Sequence, residues 1–168
     1  EPPAFGVTQL DRLAVRERQR LEDLRWRKLH SLDIPIAWPG DSMEKAQELC
    51  RNMDGKWGVG GRANSKNCHK TGFGSVQYDD FYGDDFDDDS PDGEIDMVTY
   101  MSSATQADLN RVVWSAFEAL GPPQGANSLA VHWNDVEVEG VHVGRLHCSN
   151  KDNSIDLVAS KVRDGGAL

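Results

Sequence analysis

Residues 131–148 read VHWNDVEVEGVHVGRLHC, and the predicted fold is built around this hairpin pattern. Glu139-Gly140 is typical of a two-residue turn, which places Val138 opposite Val141 and sets the register of both flanking strands. The further cross-strand pairs predicted by this register are Val136–Val143, Glu137–His142, Trp133–Leu146, His132–His147 and Val131–Cys148. The apolar face changes sides near Asn134, which indicates a β-bulge or a sheet covered on both faces.

Two helices are predicted before the hairpin. Residues 103–106 begin the stronger one, whose apolar residues keep helical spacing until Gly121-Pro122-Pro123 ends it. The other helix is predicted to begin at Asp41, which forms a capping-box pattern with Glu44, and to end at Gly55.

The remaining pattern is of strands and turns. Strands are predicted at residues 73–78, 95–101 and 155–162, and the glycine-rich, polar residues 56–70 predict a turn. The predicted fold class is therefore α+β, an antiparallel β-sheet with two or three packed helices and a long acidic loop.

The N-terminal part differs from the rest in charge. Residues 8–30 predict a helix with a narrow apolar stripe and basic remaining faces. Pro35 and Pro39 then favour extended backbone, as in a linker. We therefore divide the chain into a basic N-terminal helix with a Pro-containing linker, residues 1–40, and an α+β domain, residues 41–168. The helix is either a solvated element or a detachable pro-segment that neutralises the acidic stretch.

Composition restricts the class of partner. The chain has 168 residues, of which 38% are hydrophobic, and a formal net charge of −10. No stretch approaches the roughly twenty apolar residues that a membrane-spanning helix needs. The acidic balance disfavours nucleic acid as a direct partner, because binding to phosphates requires a basic surface.

The stretch from Asp79 to Asp96 carries all of this net charge. It contains nine aspartates and one glutamate in eighteen residues, with no lysine or arginine. Runs of like charge are usually solvated and disordered, but the aromatic residues Phe81, Tyr82 and Phe86 are not typical of such runs. We predict that this stretch binds a basic protein surface. The candidate partner-binding residues are Asp84, Asp85, Asp87, Asp88 and Asp89.

The end of the stretch has most of the spacing of an EF-hand calcium loop. Gly93 stands where such a loop turns sharply, and Ile95 supplies its apolar position. The candidate Ca²⁺ ligands are Asp88, Ser90, Asp92, Glu94 and Asp96. Thr99 replaces the bidentate glutamate of the last ligand position, and neither flank predicts a helix. The alternatives are therefore a bound Ca²⁺ and an acidic loop without metal.

Three cysteines, Cys50, Cys68 and Cys148, allow one disulfide and leave one thiol. The odd number favours a reducing compartment, a buried unpaired thiol or a partner on a removed segment. The first residue, Glu1, is not an initiator methionine, so the chain is either a processed mature protein or begins at an artificial boundary. For a processed protein, removal of a secretory signal is the commonest cause. The compartment that we predict is extracellular.

A characteristic order of motifs runs through about residues 41–162. Its parts are Leu49-Cys50 in an amphipathic helix, Gly55-Lys56-Trp57-Gly58-Val59, Cys68 before a strand, a helix, and Gly144-Arg145-Leu146-His147-Cys148 before a final strand. This order resembles small secreted killer-toxin-like fungal effectors. That family usually has paired cysteines, and the acidic insertion is foreign to its pattern. The resemblance implies an extracellular protein that acts by binding rather than by turnover.

The hairpin also offers an enzymatic alternative. The predicted register places His132 and His147 on one face of the sheet, with His142 further along the same strand as His147. With a nearby aspartate they would form a metal site or an acid/base pair. The simpler interpretation is that these are half-exposed sheet residues, with Glu137 and His142 forming a salt bridge.

Two functions from different classes follow. The first, our main prediction, is a non-catalytic secreted interaction or effector protein whose acidic loop binds Ca²⁺ or a basic partner surface. An acidic toxin-neutralising protein of the immunity type is a variant of it. The second is a small metal-assisted hydrolase that uses His132 and His147.

Overall fold

The computed structural model describes residues 28–59, 65–81 and 93–162. Within them the chain forms one eight-stranded sheet and two α-helices. The helices are α1 (Met43–Asn52) and α2 (Gln106–Leu120), and a short 3₁₀ helix spans Leu29–Ser31. The strands are β1 (Lys56–Val59), β2 (Ser65–Lys70), β3 (Gly74–Asp79), β4 (Met97–Ser103), β5 (Gly125–Ala126), β6 (Ala130–Val138), β7 (Val141–Ser149) and β8 (Ser154–Lys161).

The sheet consists of two antiparallel halves joined at its centre. The strand order is β1-β2-β3-β4-β8-β7-β6-β5, and every neighbouring pair is antiparallel. β1 to β4 follow one another in space as in sequence, and so do β5 to β8. The pairing of β4 with β8 joins the halves, and α2 connects β4 to β5. The predicted α+β class with an antiparallel sheet is confirmed.

The predicted register of the β6–β7 hairpin is confirmed at every pair. Glu139 and Gly140 both have positive φ angles, 53° and 78°, as the tight turn between two twisted strands requires. The predicted irregularity near Asn134 is also present. Asp135 has a φ of 54°, and the β7–β8 register shifts between Val143 and Arg145.

One row of side chains shows that both helices lie on the same face of the sheet. Residues directly opposite each other on neighbouring strands point to the same side. Successive partners from β1 to β6 are Trp57, Cys68, Val76, Tyr100, Leu157, Leu146 and Trp133. At one end of the row Cys68 is bonded to Cys50 of α1, and at the other end Trp133 contacts Phe117 of α2, with ring centroids 5.8 Å apart.

The two helices begin at different kinds of cap. Thr105 and Asp108 form a complete capping box at the start of α2, where sequence analysis placed the helix. The predicted cap of α1 is wrong by one residue, because the Ser42 hydroxyl, not Asp41, accepts from the Lys45 amide at 3.1 Å. Asp41 instead accepts from the Trp38 amide at 2.9 Å, which holds the chain entering the helix.

The predicted turn over residues 56–70 is wrong, since β1 and β2 occupy most of it. β2 pairs on both sides, with β1 and β3, and Cys68 within it forms a disulfide with Cys50 of α1. Non-local pairing of this kind overrides the low strand propensity of a polar, glycine-rich segment. The third cysteine, Cys148, is an unpaired buried thiol, and burial raises its pKa to about 12.

The predicted linker is extended but contributes to the core. Leu32, Ile34, Ile36, Ala37 and Trp38 are all buried. The described residues 28–40 therefore share one hydrophobic core with residues 41–162. The predicted N-terminal helix over residues 8–30 lies almost wholly outside the described residues. Of the helices in the described part of the chain, neither α1 nor α2 is long and apolar enough to cross a membrane.

Candidate functional site

The acidic stretch connects two central strands of the sheet. Asp79 is the last residue of β3, Met97 is the first of β4, and the two are register partners. The structure describes both ends of the connection, residues 79–81 and 93–96, and we call these the acidic anchors. Residues 82–92 between them lie outside the described residues.

Backbone hydrogen bonds close the connection at its base. The Asp96 amide donates to the Asp79 carbonyl at 2.8 Å, and the Lys161 amide of β8 donates to the Asp96 carbonyl at 2.9 Å. The Asp96 carboxylate accepts from the Phe81 amide at 2.8 Å. One aspartate therefore holds both acidic anchors and the neighbouring strand together.

The second acidic anchor is also bonded to the chain entering α1. The Ile95 amide donates to the Asp41 carbonyl at 2.9 Å, and the Met43 amide donates to the Gly93 carbonyl at 2.9 Å. The Gly40 amide donates to the Ile95 carbonyl at 2.8 Å, and the Ile95 side chain is completely buried. This anchor is thereby fixed by an apolar side chain as well as by hydrogen bonds.

Gly93 has a conformation that fits only glycine. Its φ is 104°, and a Cβ built on it would lie 2.1 Å from Oδ2 of Asp80. Asp80 cannot easily move away, because it is only 8% exposed. The glycine that sequence analysis assigned to the sharp turn of a calcium loop thus serves a close contact with a buried carboxyl.

The acidic anchors bury carboxyl groups. Asp79 and Asp96 are 3% and 6% exposed. The Asp79 carboxylate accepts from the Gln77 amide group at 3.2 and 3.3 Å. Burial raises the pKa of Asp96; the Phe81 amide acts in the opposite direction, the neighbouring Asp80 raises that pKa further, and Lys161 lowers it. The base of the acidic stretch is therefore a place where negative charge is costly.

The candidate Ca²⁺ ligands divide between described and undescribed residues. Asp88, Ser90 and Asp92 lie outside the described residues. The Glu94 carboxylate is 3.0 Å from Nζ of Lys161, and that of Asp96 accepts from the Phe81 amide. Within the described ranges, no three His, Cys, Asp or Glu side chains are grouped as a metal site would require. Calcium binding stays a prediction.

The candidate partner-binding residues also fall outside the described ranges. They are Asp84, Asp85, Asp87, Asp88 and Asp89. The structure shows that the segment that carries them leaves the sheet after β3 and rejoins it at β4, close to the predicted ends of the strands over residues 73–78 and 95–101. Sequence analysis did not predict that these two strands pair with each other. The sequence did contain one signal for a fixed second anchor, the apolar residue Ile95. An apolar residue within an acidic run indicates that the chain packs against the core at that point.

The histidines of the hairpin lie as the register predicted. The rings of His132 and His147 are 6.4 Å apart between centroids and nearly perpendicular. His142 contacts Asp135, with Nε2 and Oδ1 3.0 Å apart, although its register partner is Glu137. The carboxylate that contacts His142 is thus that of Asp135 and not the predicted Glu137.

Comparison with known proteins adds no assignment. No protein-family model matches the chain, and no curated protein or solved structure is significantly similar to it. The site is therefore interpreted from its own geometry.

Replacement of Gly93 tests the fixed second anchor. Gly93→Ala should lower the free energy of unfolding by at least about 2 kcal/mol, because backbone strain and overlap with Asp80 add together. Gly40→Ala is the matched control. Its φ is also positive, at 98°, but no atom lies within 4 Å of the added Cβ. It should cost about 1 kcal/mol. Equal losses in urea denaturation would show that the close contact with Asp80 does not exist.

The raised pKa of Asp96 predicts a pH dependence of stability. A carboxyl whose pKa is raised by folding stabilises the protein most below its unfolded pKa, and this contribution is lost as the pH rises through the folded value. Asp96→Asn keeps an oxygen for the Phe81 amide but cannot ionise. The variant should be more stable than the wild type at pH 7, and the difference should shrink towards pH 3. Urea denaturation across that range measures it, and a less stable variant at pH 7 contradicts the prediction.

Proposed function

We propose that this protein is a non-catalytic, secreted binding protein whose acidic stretch engages a basic surface on another protein. The observation that supports this most is the fixing of both acidic anchors. A run of like charges that merely keeps a protein soluble needs no glycine packed closely against Asp80 and no buried carboxyls at its base. A binding segment benefits from fixed ends, because fixing them lowers the conformational entropy that is lost on binding.

Charge distribution supports the same proposal. Within the acidic anchors, Asp79, Glu94 and Asp96 already have partners in the protein. The eleven residues between the anchors contain six aspartates and no lysine or arginine. Charge for a basic partner would therefore come from residues 82–92. Complementary charge of this density favours rapid, salt-dependent association.

The disulfide is compatible with a secreted protein. Cys50 and Cys68 join α1 to β2 across a sequence separation of 18. Disulfides persist in oxidising compartments and are rare where thiols are kept reduced. The unpaired Cys148 does not conflict with secretion, because burial raises its pKa and removes it from solvent.

Neutralising the acidic stretch tests the proposal. The variant replaces Asp84, Asp85, Asp87, Asp88 and Asp89 with Asn. Its affinity for poly-L-lysine, measured by calorimetry at 50 mM salt, should fall at least about tenfold, and its unfolding midpoint should not fall. The control neutralises five other exposed carboxylates, which alters the net charge equally. The control residues are Glu44, Glu48, Asp54, Glu137 and Asp152.

The control variant should keep most of the affinity. Equal losses in both variants would mean that net charge alone governs binding, which contradicts a binding segment. Titration of Ca²⁺ into the metal-stripped wild type separates the two ligands proposed for the stretch. If Ca²⁺ binding releases or absorbs heat in the wild type but not in the Asp→Asn variant, the acidic stretch binds the metal. If the wild type gives no heat, the basic protein surface is the ligand that remains.

A further inference from the structure

The placement of the helices leaves a cleft over the middle of the sheet. α1 packs on β1 and β2, whereas α2 packs on β6 and β7. Between the helices is a cleft of about 490 Å³, with Tyr100 of β4 and Ile155 of β8 among its lining residues. This volume lies within the range of about 300–1,000 Å³ that is typical of pockets for small molecules.

Apolar side chains from both halves of the fold line the cleft. Leu49 of α1, Met53 directly after that helix and Phe73 before β3 are packed against the core but only partly buried. The rings of Phe73 and Tyr100 are 5.2 Å apart, and the Tyr100 hydroxyl donates to the Phe73 carbonyl at 2.5 Å. These walls are thus held in place without a ligand, and an apolar molecule would complete their burial.

The charged groups of the cleft differ in how far they are neutralised. Arg111 contacts Asp33 at 2.8 Å and Asp108 at 2.9 Å, so both carboxylates share one guanidinium. Asp108 also accepts from the amide and hydroxyl of Thr105. All three charged side chains are substantially exposed, which screens the charge that remains.

Lys70 is different. Its ammonium group donates to the Met53 carbonyl, and within the described part of the chain it forms no ion pair. An ammonium group has three N–H donors, so two are left after that bond. Lys70 is half-buried and lies on the wall of an apolar cleft, where a charge-assisted hydrogen bond is stronger than in water.

We propose that this cleft binds a small hydrophobic monocarboxylate. The apolar body would lie against Leu49, Phe73 and Tyr100, and the carboxylate would accept from Lys70 Nζ. None of the acidic anchors lines this cleft, so the binding protein proposed above would have a second ligand of a different class. Failure of either proposal leaves the other unaffected.

Three ten-carbon probes with different head groups test the proposal. Decanoate, decanol and decylammonium are titrated separately into the full chain below their critical micelle concentrations, with amide chemical shifts as the readout. Decanoate should bind about three- to tenfold more tightly than decanol, and decylammonium most weakly. The shifts should centre on Asn52, Thr71 and Gly72, which line the cleft.

Matched variants test whether the Lys70 side chain determines the preference for a carboxylate head group. Lys70→Met should reduce decanoate affinity about three- to tenfold and leave decanol affinity unchanged, whereas Lys70→Arg should retain the preference for decanoate. Lys151→Met, at an exposed lysine away from the cleft, should change neither. Leu49→Trp should weaken all three probes by filling the cleft. The proposal is overturned if decanoate does not bind, if Lys70→Met leaves its affinity unchanged in a folded variant, or if the shifts map elsewhere.

Discussion

The hydrogen bond from the Asp96 amide to the Asp79 carbonyl closes the acidic connection, and the order of the sheet depends on that closure. β3 and β4 can pair only if two strongly acidic chain ends meet. Bringing carboxyl groups together away from water costs free energy, and the same burial raises the pKa of Asp96. The Phe81 amide and the burial of Ile95 offset that cost.

The strand that follows this closure joins the two halves of the molecule. β4 leaves the second acidic anchor and pairs with β8, which brings the N-terminal and C-terminal groups of strands into one sheet. Each group carries its own helix on the same face, α1 over β1 and β2 and α2 over β6 and β7. Residues 32–38 fill part of the space between the helices, and the cleft occupies another part. In the described part of the chain, the acidic anchors and the apolar cleft are separate features, because no anchor residue lines the cleft.

The sequence predicted the structure correctly where residues close together in the chain determine it. Glu139-Gly140 determined a turn, so the β6–β7 register could be predicted pair by pair. Residues 56–70 gave no such signal, because β2 is stabilised by two neighbouring strands and by the disulfide of Cys68. At the candidate site, the charge was evident, but the burial of Asp96 and its contacts depends on strands distant in sequence. Sequence analysis predicted a sharp turn at Gly93. The close contact of Gly93 with Asp80 could not be predicted, because it forms only when the two ends of the acidic stretch come together in the fold.

Amide hydrogen exchange at the acidic anchors tests the central claim most directly. The amides of Phe81, Ile95 and Asp96 are all hydrogen-bonded in the structure. We predict that in the native protein at neutral pH they exchange about as slowly as the amide of Tyr100, in the centre of β4. Exchange of all three at the rate of an unstructured peptide, with Tyr100 still protected, would contradict the account, because the acidic stretch would then have no fixed base.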